Sequence, residues 1–199
     1  MIGKIQVGAQ NAAADALITP RGGRQGEALT SNLHGRFYEQ VNNGNVWGVS
    51  NQAVVTTTAA LNTTFTGLAI ANPATSGKNL VMLRYTVGQV AVGAASAIGL
   101  MTFAGAAAGA LSVRNRKLGS TTTSATTASA GATIATPVLE AVYGSVGSLA
   151  TTGYGLLAGL DIYLDGEIVI APGYGIATYT TIATTSSLVF GFVWEEVPI

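Results

Sequence analysis

The sequence predicts an all-β sandwich or barrel preceded by an N-terminal arm, and three observations carry that expectation. Segments rich in β-branched and aromatic residues recur at short intervals, with Gly, Pro, Asn and Asp between them. Abundant Thr and Ser and 26 glycines suit short strands and many turns. Charge crowds into the start of the chain, at Lys4, Asp15, Arg21, Arg24, Glu27, Arg36 and Glu39, whereas the spans 40–77, 85–113 and 168–194 hold none. At 199 residues, the size fits one domain with an arm better than two domains.

In chain order, residues 1–45 form the arm. Pro20, the Gly22-Gly23 pair and the lack of a sustained period predict an extended or irregular path when free. The body is expected over 46–199. Its first strand signals are "VWGVSNQAVVTTT" at 46–58 and "TTFTGLAIA" at 63–71, followed by the turn "NPATSGKN" at 72–79. In "LVMLRYTVGQVAV", 80–92, alternation predicts Leu80, Met82, Arg84 and Thr86 on one face and Val81, Leu83, Tyr85 and Val87 on the other. The Thr/Ser/Ala tract at 119–136 predicts a long surface loop or a strand edge. Asp165-Gly166, between "LDIYL" and "EIVI", predicts a two-residue hairpin, because Gly supplies the positive φ such a turn needs. Pro172-Gly173 and "ATTSS" at 183–187 mark the next two turns. The last strand sets Leu188, Phe190, Phe192 and Trp194 on one face by period 2, an aromatic row fit for a sandwich core. Glu195-Glu196 give it an acidic end suited to blocking edge-to-edge pairing or to a salt bridge.

The run "VAVGAASAIGLMTFAGAAAGAL", Val90 to Leu111, is uncharged and long enough for a spanning helix. Gly105 and Gly109 form a GxxxG pair, and Arg114, Arg116 and Lys117 follow as a basic flank. Against a span, most of its apolar character comes from Ala and Gly, and the patterns on both sides read as β. The expectation is strand, loop and strand in a β-core with no membrane partner, the Ala/Gly clusters marking close approach of sheets or subunits.

Lys plus Arg and Asp plus Glu number nine each, so no global field draws the chain to nucleic acid. With no Cys there is no disulfide frame and no thiol nucleophile. The N-terminal residues lack the apolar core of a secretory leader, and mature sequence is expected there. His34 is the single histidine, which leaves no His pair for a metal and no evident Ser-His-Asp set. Asp161, Asp165 and Glu167 could hold a hard cation or act as paired carboxylates on a glycan, but their places around a turn explain them better. "NPATSGKN" departs from a phosphate loop at Asn72 and Asn79. Arg114, Arg116 and Lys117 form the basic cluster, better suited to a solvated loop or subunit contact than to nucleic acid. The expectation is therefore no enzyme, no cofactor and no metal.

The run "GRFYEQVNNGNVWGVSNQAVVTTTAALNTTFTGLAIANPATSGKNLVMLRY", the tract "ATTASAGATIATPVLE" and the ending "DGEIVIAPGYGIATYTTIATTSSLVFGFVWEEVPI" resemble virion proteins of tailed bacteriophages. More narrowly, they are similar to jelly-roll decoration or cement proteins of the capsid surface. The resemblance implies an antiparallel jelly roll and self-association, as a trimer rather than a dimer. It also implies a place on the outer capsid surface, where the chain bridges and stabilises major capsid protein subunits. Arg21, Arg24, Arg36, Phe37 and Tyr38 would be the arm contacts. The competing expectation is a head or tail fibre component that binds a host receptor or glycan through loops such as 119–136.

Overall fold

The computed structural model describes residues 35–91, 95–146, 159–184 and 187–199, so Arg21, Arg24 and His34 lie outside the described residues. The chain divides into two compact units, Met1–Glu39 and Gln40–Ile199. In the first, Arg36 and Tyr38 are exposed and the Arg36 guanidinium lies 5.2 Å from the Phe37 ring centroid. Where an extended or irregular path is expected, Tyr38–Asn42 instead form a short helix, α1. Its end has a local cause. Gly44 takes φ +80, its amide donates to the Val41 carbonyl and the Asn45 amide to the Gln40 carbonyl, which together make a Schellman cap.

Two antiparallel sheets build the second unit, an all-β architecture as in a β-sandwich. One runs in the order β5 (Arg114–Asn115), β1 (Val46–Ser50), β11 (Leu188–Pro198), β3 (Lys78–Gln89) and β8 (Gly159–Tyr163), with β9 (Val169–Ile170) also paired to β3. The other runs β6 (Thr127–Thr133), β2 (Thr64–Ala71), β10 (Tyr174–Thr180), β4 (Ser96–Ala104) and β7 (Ala135–Val146). The chain changes sheet at each step from β1 to β6, and again from β7 to β8, β9 to β10 and β10 to β11.

Residues from both sheets share the main core. Leu188, Phe190, Phe192 and Trp194 all enter it, as the period of β11 predicts. Tyr85 packs among them, its ring centroid 5.3 Å from that of Phe192 and 6.3 Å from that of Tyr143. A second apolar cluster, with Phe65, Met101, Phe103, Ala107 and Ile134, packs on alternate residues of β2 and β4. In β4, Ile98 and Leu100 belong to the first cluster while Met101 and Phe103 belong to the second. A strand buried on both faces has no need of polar alternation, and that explains the part of the charge-free run that forms β4, Ser96–Ala104. No helix among the described residues is long and apolar enough to cross a membrane. Within the run, Gly99 sits so close to β7 that a Cβ there would overlap the Ala141 carbonyl oxygen.

Four sequence expectations need correction. The strand expected over 46–58 stops at Ser50, with an isolated bridge from Val55 to Leu188 beyond it. The faces of β3 do not alternate regularly. Leu80 and Met82 are buried, but so are Tyr85 and Val87, because a β-bulge opposite Val193 and Trp194 shifts the phase at Leu83.

At Asp165-Gly166 the turn forms, with φ values of 47° and 91°, but no hairpin follows. β8 and β9 both pair antiparallel to β3, as two pieces of one edge strand interrupted by residues 164–168. The amides of Leu164 and Gly166 donate to the carbonyls of Leu83 and Met82, beside the β3 bulge. Burial of Leu164 and Ile170 returns the chain to the same neighbour. Finally, Glu195-Glu196 cannot guard a sheet edge, because β11 lies between β1 and β3. The salt-bridge expectation holds: buried Glu196 accepts from Lys78 Nζ at 2.7 Å, from Thr126 Oγ1 at 3.2 Å and from Ser124 Oγ.

Candidate functional site

The outward face of the six-stranded sheet gathers the basic residues. In register across five strands lie Arg114, Gly48, Val193, Arg84 and Tyr163. The adjacent row holds Ser50, Gly191, Thr86 and Asp161. Directly paired residues share a face, and here Trp47, Trp194 and Tyr85 point into the core, so these two rows point out. Gly48 and Gly191 contribute no side chains, which leaves a hollow of about 360 Å³ bounded by Arg84, Arg114, Arg116 and Leu118.

Each guanidinium is held differently. Arg84 donates to both carboxylate oxygens of Asp161, each at 2.5 Å, and lies 5.3 Å from the Tyr163 ring centroid. The hydrogen bonds raise the Arg84 pKa and lower that of Asp161, chiefly because each charge stabilises the other. Arg116 lies on the backbone of Gly48, where a Cβ would collide with its Nη2, Nε and Cζ atoms. Burial there, and then the like charge of Arg84, lower its pKa. Among the described residues, neither Arg114 nor Arg116 has an ion-pair partner. Lys117, by contrast, is spent on structure, donating at 2.8 Å to the carbonyl of Asn42 at the end of α1.

A second hollow, of about 590 Å³, lies between Trp47 and the segment 109–128 and is edged by the hydroxyls of Ser120, Thr122, Thr123, Ser124, Thr126 and Thr127. The low-complexity tract thus splits: 119–126 is loop, and β6 is the edge strand of its sheet.

Of the residues expected as arm contacts, Arg36, Phe37 and Tyr38 belong to the first unit, and Arg21 and Arg24 are outside the described residues. Asp161, Asp165 and Glu167, expected near one turn, do not converge. Asp161 sits on β8 against Arg84, whereas Asp165 and Glu167 lie in the interruption before β9. Among the described residues no group of three His, Cys, Asp or Glu side chains is placed to hold a metal. The role of Arg84 is not among the sequence expectations. Its signal was available as a lone charge inside an apolar strand, and its partner Asp161 lies 77 residues further on.

No protein-family model, curated protein or solved structure matches this chain.

Proposed function

We propose that this chain is a structural virion protein, a decoration or cement protein that binds the outer surface of a phage head and bridges its major capsid protein subunits without chemistry. The strand order is the observation that carries the reading. β1, β11, β3 and β8 lie in one sheet and β2, β10, β4 and β7 in the other, and along these eight strands the chain alternates between the sheets at every step except from β4 to its neighbour β7. That alternation supports a jelly roll, with β5, β6 and β9 as additions, and the jelly roll is the class the sequence resemblance names. Self-association, as a trimer, belongs to the proposal. β7 is a twelve-residue edge strand on which Val138, Leu139 and Val142 are exposed, a surface suited to burial against another copy. Arg21, Arg24, Arg36, Phe37 and Tyr38 remain the proposed contacts of an N-terminal arm with the shell.

The test is to add the purified chain to heads that lack it, sediment them and count the copies bound. Saturable binding in multiples set by the shell symmetry is expected, together with a trimeric mass by light scattering in detergent-free buffer. Heads that sediment bare would sink the proposal. The hydroxyl-edged hollow favours one second reading, a head or tail fibre component that binds a glycan. A few copies per particle and binding to host cells would select it.

A further inference from the structure

We propose that the groove formed by Arg114 and Arg116, with Arg84 beside them, docks an acidic segment of a partner protein whose carboxylates complete the ion pairs this chain leaves open. Asp161 already balances Arg84 by a two-point bond, so the net positive charge of the groove comes from Arg114 and Arg116. Arg116 is anchored over Gly48 near a like charge, an arrangement that an approaching anion relieves. Guanidinium forks match carboxylates in two-point geometry.

Shape agrees with a peptide. Gly191 lowers the floor beside Gly48, which the Arg116 guanidinium covers, Leu118 and Val193 provide apolar walls, and Ser50 offers a hydroxyl to a main chain. No aromatic side chain is among the groove's lining residues, so a sugar ring or a nucleobase has no aromatic platform there. The chain carries nine basic and nine acidic residues, so the attraction is local to this face and does not extend to polyanions in general. The decoration reading enters in one respect only: it names the shell protein as the source of the segment.

The experiment uses the whole chain and a fluorescein-labelled hexaglutamate peptide, followed by anisotropy at low and high salt. Saturable binding that weakens with salt is expected, and the R114Q/R116Q double variant should bind about tenfold or more weakly. Circular dichroism confirms that the variant is folded. Should it unfold, phenylglyoxal labelling of the wild-type chain decides instead, with Arg114 and Arg116 protected by the peptide. Absence of saturable binding, equal affinity in the folded variant, or unprotected arginines would overturn the proposal. So would competition by inorganic phosphate or sialyllactose as strong as by unlabelled peptide, since the groove would then take small anions from any source. If the double variant loses the peptide yet still coats heads, the shell is not the source of the segment. If the peptide binds through these arginines while no head takes up the wild-type chain, the groove stands and the decoration reading fails.

Discussion

At the scale of single residues, buried polar groups set the sharpest expectations. Glu196 is 2% exposed and gathers Lys78, Ser124 and Thr126, tying the loop at 119–126 to the end of β11. Lys78 is partly exposed, but removing the buried carboxylate leaves the Ser124 and Thr126 hydroxyls without their acceptor. Glu196→Ala is therefore expected to cost about 3 kcal/mol in urea unfolding, and a loss near zero would mean that water reaches the cluster. Tyr85 gives a pH prediction. Burial, reinforced by Tyr143, holds its phenol well above the ordinary tyrosine value. Above that ordinary value the unfolded chain loses the proton while the folded chain keeps it, so the unfolded state binds fewer protons and stability falls as pH rises. The expected outcome is a loss of stability beginning at about pH 10 that is reduced in Tyr85→Phe, with absorbance titration and thermal melts as the measurements. Identical alkaline limbs in both proteins would refute it.

At the scale of elements, irregularities in pairing govern what a substitution does. Gly99 allows β4 to approach β7, whose register against β4 shifts at three places. Gly99→Ala must push a backbone carbonyl and is expected to cost about 1–3 kcal/mol. Amide exchange should accelerate first over 135–146, and uniform acceleration across both sheets would contradict a local cause. Gly166 tests the interrupted edge strand in the same way, since it takes φ +91 and an added Cβ would lie 3.2 Å from Val81 Cγ1. Gly166→Ala is expected to lose about 1–2 kcal/mol while β8 keeps its pairing to β3. Local turn chemistry at Asp165-Gly166 was readable. The partner of the following strand was not, because burial of Leu164 and Ile170 decides it at a distance. The same limit applies to β3: nothing in "LVMLRYTV" marks Leu83 as the bulge, since the phase shift exists only relative to β11.

For the whole molecule, the question is which surfaces remain for other chains. The apolar edge at β7 and the guanidinium groove lie on different sheets. They should therefore be separable by mutation. Val142→Lys on β7 is expected to lower the mass in solution to that of one chain while leaving hexaglutamate binding within about twofold, because distant sites act independently. R114Q/R116Q should do the converse. A variant pair in which both properties fall together would mean that assembly builds the groove.

By itself the sequence determined the all-β class, the inward row of β11, and the turns at 165–166 and 172–173. Each follows from periodicity, glycine conformation or composition, which act over a few neighbouring residues. Only the tertiary structure decided that β4 is buried on both faces, that β8 and β9 share one partner strand, and that β11 is interior and so needs no edge guard. It also decided that Arg84 meets Asp161, that Arg116 lies over Gly48 and that Arg114 and Gly191 line the same groove. These features join residues far apart in the chain, and the free energy that selects them comes from burying apolar surface shared between strands. That energy has no counterpart in any one segment read alone.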